Sequence, residues 1–270
     1  MNIRKKLILG AIAGDVIGSV FEWKNVKTVH FDLFRQDAYR NGSTFTDDSA
    51  MTVATMSALL HQKNYTESYQ SFGRAYPHIG YGGHFRQWIG SKNPQPYNSW
   101  GNGSAMRVSP VGWYGERLQA VMDEAKKSAA VTHNHPEGIK GAQAVAAAVY
   151  LARTGKSKGE IKTFITQIFQ YDLDRKLNDI RPDYAFDVSC QGSVPEAIIA
   201  FLESADFENA IRLAISLGGD SDTIACITGG IAEAYYKTIP DEIIDNVLRR
   251  LPDGLIKVIE AFSEKYGAGM

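Results

Sequence analysis

The sequence predicts one compact, helix-rich domain. Apolar residues recur mostly at helical rather than strand spacing, cap and stop residues bracket those runs, and no repeat, low-complexity tract or Pro/Ser-rich linker divides the 270 residues. That length allows one large domain or two small ones. Without a linker, a single domain over 1–270 is expected. A hydrophobic content of 44% with 22% charged residues is that of a folding chain rather than a disordered one.

The elements follow in order. Arg4, Lys5 and Lys6 precede the apolar run Leu7 to Ala13, an arrangement reminiscent of a secretory signal. Asp15 ends that run after seven residues, so it is expected to be the first helix of the mature domain. Residues 47–62 read as a helix with Met51, Ala54, Thr55, Ala58 and Leu59 on one side, Thr46 as N-cap, and Asp47 and Asp48 in the positive first turn. Residues 136–153 read as another, with Pro136 in the first turn and Gly155 just past the end. Residues 194–203, 207–217 and 223–237 follow, with Ser193 and Asp206 as caps and Gly218-Gly219 as a C-terminal stop. The last two helices are expected over 241–250 and 254–265. Two stretches differ. Residues 77–105, with six glycines, three prolines and five aromatic residues, read as an ordered, pocket-building loop, and the aspartate-rich residues 171–192 as a second long connector.

Charge and cysteine content exclude several classes. With 29 Lys and Arg against 30 Asp and Glu, the formal charge is −1, which argues against a nucleic-acid binder working by bulk attraction to phosphate. No run of eighteen apolar residues occurs, so no membrane span is expected. Cys190 and Cys226 are too few for a disulfide framework or a thiolate zinc site, and a reducing, cytoplasmic compartment is the simpler expectation. Cys190 has no evident base partner and reads as an inert thiol.

The chemistry lies in Thr46-Asp47-Asp48-Ser49 and Gly218-Gly219-Asp220-Ser221-Asp222-Thr223, each a pair of carboxylates with a hydroxyl neighbour at a helix N-terminus. Either alone reads as a cap with dipole-favoured acids. A cap needs one acceptor, however, and together these segments supply four carboxylates and two threonine hydroxyls. Hard oxygen ligands suit Mg²⁺, Mn²⁺ or Ca²⁺ rather than zinc. The calcium-loop pattern fails, because Ile224 and Ala225 follow Asp222-Thr223.

Gly14-Asp15 through Glu22, Phe45-Thr46-Asp47-Asp48-Ser49, Gly101-Asn102-Gly103-Ser104-Ala105-Met106-Arg107, Thr132-His133 and the Gly218 to Thr223 segment occur in this order. That set, running from about Leu7 to Tyr236, resembles the ADP-ribosylglycohydrolase family. The resemblance implies an all-α fold, a single orthogonal multi-helix domain with two divalent cations, Mg²⁺ or Mn²⁺, at the bottom of a cleft. It implies Thr46, Asp47, Asp48, Asp220, Asp222 and Thr223 as ligands, with Asp222 as the candidate bridge. The implied reaction is hydrolysis at the anomeric carbon of an ADP-ribose unit, which requires stabilising an oxocarbenium-like sugar and supplying water.

Glu22, Asp47 and Asp222 are then the catalytic candidates, Glu22 for proton transfer or for closing the site, against the alternative of a solvated glutamate beside Trp23. Asp15 is given a supporting role. Ser99, Gly101, Asn102 and Gly103 have the composition of a phosphate cradle, although no Gly-Lys-Ser/Thr makes them a P-loop, and the resemblance implies that they contact pyrophosphate and ribose. It also brings His133 near the ADP-ribose, while His135 stays unassigned. Arg107 reads as a phosphate contact or as a structural salt bridge beneath the loop. Tyr81, Phe85, Trp88, Trp100, Tyr184 and Phe186 are the candidates for stacking on adenine.

The implied partner is an ADP-ribosylated protein or other modified acceptor, with no membrane, nucleic acid only as a modified substrate, and a monomeric state. Arginine is the first acceptor, by analogy with bacterial-type relatives alone. Two rival readings stand beside this one. One is a different two-metal hydrolase acting on a phosphate ester or an ADP-ribose derivative; the other is a non-catalytic relative that binds ADP-ribose or only keeps the fold. Intact ligand positions count against the last, since a cluster of like charges is costly to keep without use.

Overall fold

A computed structural model describes residues 7–35 and 42–267; Arg4, Lys5 and Lys6 lie outside the described residues. The described residues form α1 (Gly10–Gly18), α2 (Asp47–His61), α3 (Tyr65–Ala75), α4 (Gly83–Gly90), α5 (Gly103–Met106), α6 (Ser109–Tyr114), α7 (Leu118–Ala130) and α8 (Pro136–Arg153). There follow α9 (Lys158–Phe169), α10 (Leu177–Ile180), α11 (Cys190–Glu203), α12 (Phe207–Ile215), α13 (Ser221–Tyr236), α14 (Asp241–Leu248) and α15 (Asp253–Tyr266). The fold is all-α. Among the described residues the one β-like feature is an isolated antiparallel bridge between Gly101 and Ser189.

Four helices are buried almost all round and act as the inner layer. Every residue of α1 is buried, as are Asp48 to Leu59 of α2 and Ser221 to Ala234 of α13, while α8 fills its interior with small side chains such as Ala144, Ala146, Ala147 and Ala148. Small residues let helix axes approach closely. A Cβ on Gly18 would stand 2.5 Å from the Cα of Asp222, so the end of α1 touches the backbone of α13 at the start of that helix. The same pair is locked at its other end by Glu233 of α13, whose Oε1 accepts from Leu9 N at 2.9 Å and whose Oε2 accepts from Gly10 N at 2.8 Å. A buried carboxylate thus caps α1, which has no side-chain cap of its own. The outer helices are amphipathic: α12 turns Phe207, Ala210, Ile211, Ala214 and Ile215 inward.

Thr46 caps α2, accepting from Asp48 N. Helix α8 spans the expected 136–153, and Asp206 caps α12 by accepting from Asn209 N at 2.8 Å. Gly218 and Gly219 adopt φ +74° and +69°, the left-handed conformation that ends a helix and favours glycine.

Other expectations are corrected. Helix α1 starts at Gly10, because Leu7, Ile8 and Leu9 form a buried non-helical lead whose Ile8 N donates to Ser263 Oγ at 2.8 Å. Residues 77–105 are not loop throughout. Within them α4 buries Phe85, Trp88 and Ile89 on one face, and a short α5 begins at Gly103. Helix α11 begins at Cys190 and is capped by Ser189, which accepts from Gly192 N at 2.9 Å, not by Ser193. The Ser193 hydroxyl instead donates to Asp187 O at 2.9 Å and accepts from Asn102 Nδ2 at 3.1 Å, while Pro195 lies inside the helix. Five helices with no counterpart in the sequence expectations, α3, α6, α7, α9 and the short α10 within the second connector, also appear.

The glycine-rich loop is pinned to the second connector. Asn102 N donates to Val188 O at 2.7 Å and Cys190 N to Trp100 O at 3.0 Å, flanking the Gly101–Ser189 bridge. The two long connectors are therefore neighbours over one end of the inner helices.

Candidate functional site

Three helix ends meet below those connectors: the last turns of α1 with the Glu22 turn that follows, the start of α2 and the start of α13. Asp15, fully buried in α1, accepts from Thr46 Oγ1 at 2.6 Å and Thr46 N at 2.9 Å, and from both the backbone N (3.0 Å) and the hydroxyl of Ser49. Nearly all its lone-pair capacity is used in holding the start of α2, which makes it a supporting group, as the sequence suggests.

Two sets of ligand atoms converge, those of Asp15, Asp48 and Asp222 and those of Glu22, Asp220 and Asp222, with the atoms of each set within 4.8 Å of one another. Asp222 belongs to both. Asp48 Oδ2 accepts from Thr223 Oγ1 at 3.3 Å, which ties α2 to α13 across the site, whereas the buried Asp48 Oδ1 has no protein partner. Asp220 Oδ2 accepts from Asn102 Nδ2 at 2.7 Å, attaching the glycine-rich loop to the acidic cluster. Asp47, partly buried, borders the same cleft without joining either set.

So many carboxylates cannot ionise together without help. Burial, then the charges of Asp15 and Asp220, pushes Asp47 up to about 8. Burial and Asp220 raise Glu22 to about 7. Asp48 and Asp222 stand well above the usual carboxylate range, through burial first, and then through Asp15, Asp47 and Asp220 for Asp48 and through Asp220 and Asp48 for Asp222. Asp220 is raised by burial in spite of the Asn102 hydrogen bond. Divalent cations would relieve this. The donor set is wholly oxygen, with two threonine hydroxyls, Thr46 and Thr223, beside the carboxylates and one buried carboxylate oxygen left without a partner. These residues fit hard ions such as Mg²⁺ or Mn²⁺ and not zinc.

Above the cluster opens a cleft of about 680 Å³. Ser99, Gly101, Asn102, Gly103 and His133 form one wall. His133 is buried, and its Nε2 would lie 3.1 Å from a Cβ on Gly103 and 3.7 Å from one on Gly101, so larger residues would fill the space between imidazole and loop. Burial, helped by Arg107, holds His133 well below the usual histidine range, so it is neutral. Glu22, Asp220 and Asp222 line the floor, and a stacked pair, Trp23 and Phe186, stands at the rim with ring centroids 4.0 Å apart.

Of the candidate stacking aromatics, Trp100, Phe85 and Phe186 line the cleft, while Tyr81 and Trp88 are buried in the core and Tyr184 sits behind Gly219. The salt bridge expected beneath the loop is absent among the described residues. Arg107 donates instead to Ser128 O at 3.1 Å and Thr132 Oγ1 at 2.8 Å and lies over the Tyr69 ring at 4.1 Å. His135 is the N-cap of α8, its Nδ1 accepting from Glu137 N at 3.1 Å. Cys190 is an inert thiol: burial pushes it up to about 12, and its Sγ donates to Gly101 O at 3.1 Å. Trp23, named in the sequence only as the neighbour of Glu22 and not among the stacking candidates, is 72% exposed and adopts φ +66°, an uncommon conformation for a bulky residue.

Comparison with known proteins fits this architecture. The model of the ADP-ribosylglycohydrolase family matches residues 4–268. The ADP-ribosylhydrolase ARH3 of Mus musculus is 28% identical over 306 residues, covering 85% of this chain and 82% of that protein. The ADP-ribosylarginine hydrolase Tri1 of Pseudomonas putida (strain GB-1) is 25% identical over 272 residues, covering 90% of this chain and 73% of that protein. A solved structure described as an ADP-ribosylglycohydrolase-related protein complex superposes with a TM-score of 0.75 at 22% identity over 97% of both chains, a likeness of fold. With the family's motifs in one cleft and its model matched over nearly the whole chain, the protein belongs to the ADP-ribosylglycohydrolase family.

Proposed function

We propose that this chain is a hydrolase that removes ADP-ribose from a modified acceptor, with ADP-ribosylarginine on protein as its preferred substrate and two divalent cations, Mg²⁺ or Mn²⁺, in the acidic cleft. The observation that carries the proposal is the convergence of two carboxylate sets on Asp222, directly beneath a glycine-rich wall open to a cleft large enough for a nucleotide sugar. Asp47, Asp48, Asp220 and Asp222, with the hydroxyls of Thr46 and Thr223, would hold the ions. Bound ions supply Lewis acidity, orient sugar hydroxyls and activate a water.

The protein's own groups perform the remaining tasks. Backbone N–H groups of the Ser99 to Gly103 loop can approach the pyrophosphate, because glycine leaves room for an anion. Glu22, held near 7 by burial and Asp220, retains a proton that it can pass to the departing acceptor. Asn102 links loop and cluster through its bond to Asp220, so the two halves of the substrate are gripped in one register.

Charge supports arginine as the acceptor. With Glu22 protonated, the carboxylates of Asp15, Asp47, Asp48, Asp220 and Asp222 exceed the charge of two divalent ions by one, and this excess favours a cationic guanidinium. The exposed faces of Trp23 and Phe186 at the rim suit a planar cation. Among the described residues lining the cleft, the basic side chains are Arg107, His84 and His133, and Arg107 is tied to Ser128 and Thr132. A panel of substrates ADP-ribosylated at arginine, serine or a nucleobase, together with simple phosphate esters, tests the reading. Arginine-linked substrate should release free ADP-ribose fastest. Release from serine or nucleobase alone would overturn the acceptor assignment, and turnover of phosphate esters alone would overturn the reaction.

A further inference from the structure

We propose that Arg107 and Thr132 are positioning residues that fix His133 as a neutral donor through Nε2–H, aimed between Gly101 and Gly103 at an oxygen of the bound ADP-ribose. The identity of that ligand rests on the function proposed above; the tautomer does not.

The proton assignment follows from a short chain of buried contacts. A guanidinium only donates, so at 2.8 Å from Arg107 Nη2 the Thr132 oxygen is an acceptor. The threonine has one hydrogen left to give. It lies 2.7 Å from His133 Nδ1 and 3.5 Å from Ala129 O, and the first is a full hydrogen bond while the second is at the limit of one. The hydroxyl hydrogen therefore goes to Nδ1, which must be the unprotonated ring nitrogen. A neutral imidazole with Nδ1 as acceptor carries its hydrogen on Nε2.

Arg107 is suited to set this order. Its side chain is 1% exposed, no carboxylate pairs with it among the described residues, and it is held over the rings of Tyr69 and Phe85. A buried cation whose hydrogen-bond partners are a carbonyl and a hydroxyl polarises that hydroxyl toward the next acceptor. Protonating both imidazole nitrogens would turn Nδ1–H against Thr132 and bring a second positive charge beside the first. At the other end of the ring, Nε2 faces the backbone of the loop at the two glycines where added Cβ atoms would stand 3.1 and 3.7 Å away. His133 thus offers substrate a directed, uncharged N–H beside the loop, which discriminates a ribose hydroxyl or phosphate oxygen from groups without a lone pair. Hydrogen bonds of this kind select ligands because a mismatched one leaves the buried donor unpaired.

The test is a two-bond ¹H–¹⁵N correlation spectrum of protein labelled at histidine, with His133 assigned by the signal missing in His133→Gln. The wild-type spectrum should show the Nε2–H tautomer. Thr132→Val removes the relay while keeping the side-chain shape, and should shift His133 toward the other tautomer and weaken ADP-ribose binding by about tenfold, roughly one hydrogen bond. Thr132→Ser should restore both. An Nδ1–H signal in the wild-type protein overturns the proposal, as does Thr132→Val binding ADP-ribose as tightly as wild type with an unchanged tautomer. Should the valine variant fail to fold, the wild-type spectrum still decides. An Nε2–H tautomer in a protein that binds no ADP-ribose would leave the relay standing and overturn the proposed function instead.

Discussion

Asp15 and Asp222 are both buried carboxylates of one cluster, yet their replacement should have opposite consequences for stability. Asp15 satisfies four donors on Thr46 and Ser49. In Asp15→Asn an amide NH₂ faces donors that need an acceptor, at about 1–3 kcal/mol for each donor left unsatisfied, and thermal melting should fall by several degrees. Asp222 Oδ1 accepts from Thr223 N at 3.0 Å, and the carboxylate is otherwise surrounded by like charge. Asp222→Asn should leave the metal-free protein at least as stable as wild type while abolishing release of ADP-ribose. A metal-free melting temperature that drops as far as that of Asp15→Asn would contradict this division of labour. The acidic cluster was legible in the sequence because paired aspartates exceed what a cap requires. The setting of Arg107 was not, since nothing local distinguishes a guanidinium that meets a carboxylate from one that meets a hydroxyl in the turn after another helix.

Among the elements, the contact of α1 with α13 governs the site. Gly18 stands where a Cβ would lie 2.5 Å from Asp222 Cα, with backbone and not a flexible side chain in the way. Gly18→Ala should therefore push the two helices apart, cost about 1–3 kcal/mol by overpacking, and weaken cation binding at Asp222. Calorimetric melting and metal titration of the same variant check both effects; normal affinity with lowered stability would separate packing from the site. Helix α8 could be read from its ends because Pro136 and Gly155 punctuate it, and Gly155 adopts φ +85°. Helices α3, α7 and α9 went unread although each turns a narrow apolar stripe inward, such as Val121, Ala125, Ser128 and Ala129 of α7, because that stripe is set among polar residues and not in a continuous apolar run like those of α1 and α8. The start of α11 was obscured by Pro195, which suggests a first turn when read locally but lies inside a helix begun by Ser189.

For the whole molecule, a formal charge of −1 conceals an acidic focus drawn from both halves of the chain. Folding raises these carboxylates above their ordinary values, with Glu22 near 7 and Asp47 near 8. A group raised on folding contributes stability below its unfolded pKa and loses it as pH rises through the folded one. The metal-free protein should thus melt at lower temperature at pH 8 than at pH 5. Cations that bind the ionised form should reverse the trend, stabilising by about 2.7 kcal/mol at a concentration one hundred times the dissociation constant. Melting curves with and without Mn²⁺ across that pH range should diverge as pH rises, and parallel curves would contradict the account. The most direct test of the central claim is release of ADP-ribose from an arginine-modified protein by enzyme stripped with chelator and then titrated with Mn²⁺. No release before metal, and recovery that saturates at two ions per chain in wild type but never in Asp222→Ala, is the predicted result; full release in metal-free buffer containing chelator would contradict it.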